Sequence, residues 1–268
     1  MPDTLDLGPH RLRLGGVTHV MGVINVSPDS RNTHTVARSV DEALLMADRY
    51  RSWGASLIDL GGQSSHLDNA TMEPADEVSR VVPVIDALCS EGHIVSIDTW
   101  KPEVAAAAVA AGAVIVNDTG GLADPEMREV VAGNDIAVVA VHIEGDHPHA
   151  VDEVEIRADK AEYTAEGFRR LLDELAHAGI DNVILDPGIA INYRGDYEAY
   201  SRMQLQVIAD SEHLRTLGRP VLIPIPRKRD GHRTAAYIGI AIEHEADIVR
   251  AHDVAVACDL VDLFGRTP

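Results

Sequence analysis

Short runs of apolar residues alternate with longer amphipathic stretches along the whole chain. The eight runs are 20–25, 56–60, 93–98, 113–117, 136–142, 182–186, 221–225 and 247–252. Most are continuous and rich in β-branched residues, which is typical of strands buried on both faces of a parallel sheet. The pattern therefore predicts eight parallel strands.

Each of these runs is followed by a stretch with helical spacing. The predicted helices are 40–53, 74–91, 102–111, 125–132, 157–178, 197–217, 232–245 and 253–263. Several have proline near their first turn and glycine just after their last, as helices commonly do. Eight strand–helix units in series predict a single-domain (β/α)8 TIM barrel, with a doubly wound open sheet as the alternative.

The N-terminal segment is predicted to be separate from the barrel. Residues 5–16 read LDLGPHRLRLGG, with a turn between two short apolar-alternating pieces. We expect residues 1–16 to form a hairpin that plugs the N-terminal mouth of the barrel. The barrel itself is predicted to span residues 17–268.

Charge restricts the possible partners. The chain has 268 residues, with 23 Lys and Arg against 43 Asp and Glu, a formal net charge of −20. A field of this sign excludes nucleic acid and anionic membrane surfaces as partners bound through overall charge. Because no apolar stretch reaches spanning length and the N-terminus lacks a basic-then-apolar run, we expect a cytoplasmic protein.

Polar residues stand where almost every predicted strand ends, which in such a barrel is where chemistry is carried out. Asp98, Asn117 and Asp186 present carboxylate and amide groups suited to a flat heterocycle rich in N–H donors. Other strand ends carry cations suited to an anion. These are Lys228, Arg250 and His252, with Arg227 and Arg229 nearby.

A histidine-rich stretch follows the fifth predicted strand. It reads HIEGDHPH over residues 142–149, and this set of histidines and acids is one that zinc can use. The alternative is that only His142 stands at a strand end and the others decorate a loop.

Seven strings along the chain resemble those of the dihydropteroate synthase family, in family order and spacing. They are MGVINVSPDS (21–30), LIDLGGQSS (57–65), SIDT (96–99), VNDTGG (116–121), LDPG (185–188), PRKR (226–229) and RAHDV (250–254). The resemblance covers essentially the whole chain, and the ordered set is far more specific than any one string.

The resemblance implies a transferase of folate biosynthesis that joins a pterin-methyl diphosphate to p-aminobenzoate or a related amine and releases diphosphate. It assigns the pterin to Asp98, Asn117, Asp186 and Lys228, with Asp98, Asp186 and Lys228 also catalytic. It assigns the diphosphate to Asn25, Ser65, His66, Arg250 and His252, with Asn25 also at a Mg²⁺ site. It further implies a homodimer formed through the C-terminal helices.

Four stretches depart from the family pattern, among them residues 190–193 after the LDPG string and Pro226, where the family usually has serine. After Ser30 the family usually has Phe-Ser-Asp-Gly-Gly, whereas residues 31–35 read RNTHT. In the second loop His66 replaces an arginine, so a permanent bidentate donor becomes a partly charged single one. These changes predict a divergent member. Two alternatives remain: a pterin-binding homologue without synthase activity or with another substrate, and a folate-dependent methyltransferase.

Overall fold

The computed structural model describes residues 2–27, 33–64, 71–151, 154–191, 195–226 and 230–268. Its strands are β1 (Thr4–Leu7), β2 (His10–Arg13), β3 (His19–Asn25), β4 (Leu57–Gly61), β5 (Val95–Thr99), β6 (Ile115–Asp118), β7 (Ala137–Val141), β8 (Val183–Asp186), β9 (Leu222–Pro224) and β10 (Ile248–Ala251). Its α-helices are α1 (Val40–Trp53), α2 (Pro74–Ser90), α3 (Pro102–Ala110), α4 (Pro125–Ala132), α5 (Lys160–His177), α6 (Tyr197–Ala209), α7 (Glu212–Arg215), α8 (Gly231–Glu243) and α9 (Val254–Leu263).

Eight parallel strands form the barrel. Their order is β8-β7-β6-β5-β4-β3-β10-β9, and an isolated parallel bridge between Leu185 and Val221 joins the two ends of the sheet. Helices separate consecutive strands along the chain. The (β/α)8 prediction is confirmed, and the open doubly wound sheet is excluded.

Helix starts follow the local signals read from the sequence. Pro74, Pro102 and Pro125 each lie in the first turn of a helix, where a missing N–H costs nothing. The Ser39 hydroxyl accepts the Glu42 N–H at the start of α1, satisfying one of its free donors. Local chemistry therefore sets where these helices begin.

Several predicted boundaries differ from the structure. The predicted helix 197–217 is two helices, because Asp210 and Ser211 stand at the break and such side chains compete with helical backbone bonds. Helix α5 begins at Lys160 instead of residue 157, since Arg157 pairs with Asp159 before the helix starts. Strand β7 ends at Val141, so that His142 is the first residue beyond it.

The hairpin β1–β2 packs into the barrel end opposite the strand carboxyl termini. Leu5, Leu7, Leu12 and Leu14 are buried in one cluster with residues that begin the barrel strands, including Leu57, Ile115 and Leu222. A second, larger apolar cluster lies between strands and helices. The division of the chain at residue 16 into two units remains a prediction.

Over the described residues, the helices are all too short or too polar to span a lipid bilayer.

Shortening a buried side chain of the hairpin should destabilise the barrel. Leu7 is fully buried, so Leu7→Ala should lower the free energy of unfolding by about 2–4 kcal/mol through lost burial and a cavity. Leu45→Ala on α1, where the side chain is 66 % exposed, should change it by no more than about 0.5 kcal/mol. Urea denaturation measures both, and equal small effects would mean that the hairpin does not contribute to the core.

Candidate functional site

Residues at the ends of four neighbouring strands lie side by side at the barrel mouth, and three of them have polar side chains. In the parallel register Asn25 is beside Gly61, Gly61 beside Asp98, and Asp98 beside Asn117. Strand pairing thus brings together residues that are far apart in the sequence. Asn117 is almost fully buried, whereas Asp98 is partly open to the mouth.

A buried ion-pair network lies at the centre of this mouth. Arg250 Nε donates to Asp59 Oδ2 at 2.6 Å, and Arg250 Nη2 donates to Asp98 Oδ2 at 2.6 Å. Asn117 Nδ2 donates to Asp59 Oδ2 at 3.2 Å. Asp59 has 0 % exposure, so its charge depends on these partners. Sequence reasoning missed Asp59 as a site residue.

Two acceptor atoms in this network remain unused. Asp59 Oδ1 and Asn117 Oδ1 are buried and have no hydrogen-bond partner among the described residues. Buried acceptors without partners are rare and call for a ligand or water. A ligand that presents N–H donors would satisfy both.

Asp186 ends strand β8 beside the same mouth. Its Oδ1 accepts the Gly188 backbone N–H at 2.7 Å, which closes the turn after the strand. Gly188 has φ +71, and a Cβ there would lie 1.8 Å from the His142 carbonyl oxygen. Only glycine fits this position, so the Gly of the LDPG string holds Asp186 in place.

Burial dominates the protonation of the two carboxyl groups. It raises the pKa of Asp98 to about 7, with Asp59 adding to the effect and Arg250 opposing it. Burial likewise raises the pKa of Asp186 to about 7, against the Gly188 N–H and Arg250, which lower it. Burial lowers the pKa of the Arg250 guanidinium, but the facing carboxylates outweigh burial and hold it above its usual value. The mouth therefore changes its charge near neutral pH.

A second polar group lies where strands β3 and β10 end. Asn25 Nδ2 donates to Thr35 Oγ1 at 2.9 Å, and Thr35 Oγ1 lies 3.4 Å from His252 Nδ1. Thr35 is fully buried and links two residues that the sequence analysis placed at one site. It was not predicted, because it stands in a loop that differs from the family pattern.

The histidine-rich stretch does not gather into a metal centre among the described residues, where no group of three His, Cys, Asp or Glu could hold an ion. The ring of His142 packs edge-on against Tyr163 and Phe168. Burial lowers the pKa of His142 to about 4, with Lys160 adding to the effect. Glu144 is paired with Lys160. His142 Nε2 is buried and has no hydrogen-bond partner among the described residues.

Three predicted site residues, Ser65, His66 and Lys228, lie outside the described residues. Of the others, Asp98, Asn117 and Arg250 belong to one hydrogen-bonded network with Asp59. Asn25 and His252 form the separate group with Thr35. Arg250, predicted for the anion side, thus contacts the acidic side in this structure, and its predicted role toward diphosphate remains untested.

An α/β barrel with buried carboxylates and an amide at its strand ends defines a class of heterocycle-binding barrels. The family model described as pterin binding enzyme matches residues 21–258. The dihydropteroate synthase of Bacillus subtilis is 34% identical over 92% of this chain and 87% of its own length. The chain therefore belongs to the dihydropteroate synthase family of pterin-binding enzymes.

Solved structures agree with this assignment. Xanthomonas albilineans dihydropteroate synthase with 4-aminobenzoic acid has a TM-score of 0.83 and 30% identity, covering 99% of this chain and 98% of that one. Burkholderia cenocepacia dihydropteroate synthase complexed with 7,8-dihydropteroate has a TM-score of 0.83 and 27% identity, covering 98% and 96%.

Removing the central cation should raise both carboxyl pKa values further. Arg250 lowers the pKa of Asp98 and of Asp186, so Arg250→Met should shift both titrations to higher pH. Carbon-13 NMR of aspartate carboxyl groups measures the shift. Arg51→Met, which removes an exposed arginine on α1, is the control and should leave both unchanged. Titration curves that coincide in Arg250→Met and the parent protein would contradict the pairing.

Proposed function

We propose that the protein condenses a 6-hydroxymethyl-dihydropterin diphosphate with an aromatic amine, p-aminobenzoate or a related acceptor, and releases diphosphate. The observation that carries this proposal is the buried network of Asp59, Asn117, Asp98 and Arg250, in which two acceptor atoms have no partner among the described residues. Family membership supports the same reaction.

The acidic side of the mouth suits the pterin ring. A pterin presents several N–H donors along one edge, and Asp59 Oδ1, Asn117 Oδ1 and the carboxyl group of Asp186 supply acceptors. Arg250 is held rigidly by two carboxylates, so its guanidinium plane stays fixed as the ring enters. Such preorganisation lowers the cost of binding.

These residues also suit the chemical step. The C–O bond between the exocyclic methylene and the diphosphate breaks, and its electron pair leaves with the diphosphate. The amine nitrogen forms the new C–N bond and loses a proton to solvent. Asp98 and Asp186 stabilise the positive charge that develops on the pterin, because carboxylates fixed in a dry site interact strongly with it. Arg250 and His252 are the basic side chains we assign to the leaving anion, whereas Lys228 is assigned to the pterin.

Mg²⁺ is the expected cofactor, with Asn25 as its expected protein ligand. Asn25 donates through Nδ2 to Thr35, while its Oδ1 lies beside Gly61, where the absent side chain leaves room. One amide oxygen fits magnesium, which keeps waters and takes phosphate oxygens as further ligands. Bound there, the ion would neutralise charge on the departing diphosphate. Ser65, His66 and His252 complete the proposed diphosphate side.

We extend the proposal to assembly and location. Leu263 and Phe264 at the end of α9 are exposed apolar side chains, which supports a homodimer through the C-terminal helices. The cytoplasmic location expected from the sequence remains part of the same proposal.

Turnover tests the reaction directly. Purified protein with pterin-methyl diphosphate, Mg²⁺ and p-aminobenzoate should release diphosphate and form the pterin–amine product, measured by coupled phosphate detection and mass spectrometry. Other aromatic amines are tested in parallel, because the altered loops lie on the acceptor side in the family pattern.

Pterin binding without diphosphate release from any amine would contradict the transferase proposal and favour a non-catalytic pterin-binding role. Methyl transfer from a reduced methylfolate, in place of diphosphate release, would favour the methyltransferase alternative.

Pterin binding should release protons near neutral pH. Asp98 and Asp186 have pKa values of about 7, and the ligand's N–H donors favour their ionised forms. Affinity should therefore rise as pH increases from roughly 6 to 8. Calorimetry in buffers of different ionisation enthalpy measures the released protons. Asp98→Ala should weaken pterin binding by about tenfold or more and reduce the release, and buffer-independent enthalpies would contradict this assignment.

A further inference from the structure

A buried lysine outside the pterin site joins the loop after β4 to the loop after β5. Lys101 is 7 % exposed. Its Nζ donates to Gln63 Oε1 at 2.5 Å, to the Met72 carbonyl at 2.6 Å and to Glu77 Oε2 at 2.7 Å. An ammonium group has three N–H donors, so every one is used.

The three acceptors lie on both sides of one segment. Gln63 precedes residues 65–70, while Met72 and Glu77 follow them. Gln63 Oε1 also accepts the Met72 backbone N–H at 3.1 Å, so the two flanks are bonded to each other as well as to Lys101. The Lys101 backbone N–H donates to Thr99 Oγ1 at the end of β5, which attaches the cluster to the barrel.

A histidine from the loop after β7 holds the same two flanks from another direction. His149 Nε2 lies 3.1 Å from the Ser64 carbonyl, and its Nδ1 lies 3.2 Å from Thr71 Oγ1. Its ring packs edge-on against Trp100, with centroids 5.1 Å apart, and the His147 ring stacks on the same indole. Trp100 immediately precedes Lys101, so both anchors are built on one dipeptide.

We propose that Lys101 and His149 are positioning residues that hold the ends of the loop between β4 and α2, and through them the diphosphate side of the site. This inference rests on the proposed function, because Ser65 and His66, to which the proposed function assigns the diphosphate, lie between the two held flanks in the sequence. The histidine-rich stretch thereby contains a residue, His149, that positions this loop.

The geometry favours positioning over general stability. Lys160 is also a buried lysine, 5 % exposed and paired with a glutamate, but over the described residues its ammonium group contacts Glu144 and the Tyr163 ring, neither of which belongs to the loop after β4. The two ion pairs are thus chemically matched and differ in what they hold. This gives a control within the same chain.

The test compares Lys101→Met/Glu77→Gln with Lys160→Met/Glu144→Gln, each of which removes a lysine and its carboxylate charge together. Hydrogen–deuterium exchange of peptides covering residues 61–75 should be faster by about tenfold in the first variant and unchanged in the second. His149→Phe keeps a ring beside Trp100 but removes both hydrogen bonds, and it should also accelerate exchange there. It serves as the independent variant should the Lys101 double variant fail to fold.

Ligand binding provides the functional readout. The Lys101 variant should bind pterin-methyl diphosphate about tenfold more weakly while binding the hydroxymethyl pterin without diphosphate as the parent does. Equal weakening of both ligands, or exchange over residues 61–75 equal to the Lys160 control, would overturn the inference. Absence of turnover in the parent protein would count against the proposed function alone, since the exchange measurement decides the positioning role by itself.

Discussion

A guanidinium held between two carboxylates is the interaction on which the barrel mouth depends. Arg250 contacts Asp59 and Asp98 at 2.6 Å each, and Asp59 is fully buried. Removing one member of such a network leaves an uncompensated buried charge. This destabilises a protein far more than replacing all members of the network with apolar residues. The positions of Asn117 and Asp98 follow from this arrangement, because both contact a member of the network and lie in register on neighbouring strands.

Over the described residues, the network has more carboxyl groups than cations, and two of its acceptor atoms lack hydrogen-bond donors. Among the described residues, three aspartates (Asp59, Asp98 and Asp186) face a single arginine, Arg250. Burial raises the pKa values of Asp98 and Asp186 to about 7, although Arg250 lowers them. A ligand edge with N–H donors supplies what is lacking. The same excess of negative charge opposes a diphosphate, in a chain whose net charge is already −20. Positive potential for the anion must therefore be built locally, which is why we place it at Arg250, His252 and a magnesium ion.

Much of this arrangement was predictable from the sequence, because strand ends in a parallel barrel meet at one mouth. Asp98, Asn117 and Asp186 were found in this way. Asp59 was missed because it stands two residues before the end of β4. A lone charged residue inside an otherwise apolar strand was the available signal. Thr35 and His149 carried no such signal, since their roles arise from contacts between loops far apart in sequence. Spacing alone suggested a metal for the histidines, whereas in the structure the rings of His147 and His149 pack on Trp100. The ring of His142 packs against Tyr163 and Phe168 instead.

The fold separates two kinds of constraint. The acceptors for the heterocycle lie on strands whose register fixes them, so a substitution there disturbs the barrel itself. The departures from the family pattern lie outside the strands, at residues 31–35 after β3, His66 after β4, residues 190–193 after β8 and Pro226 after β9. Such loops change at little cost to the core as long as their ends are held, and Lys101 holds one of them. Divergence from the family pattern therefore falls in loops, whereas Asp98, Asn117 and Asp186, which we assign to the heterocycle, lie on strands.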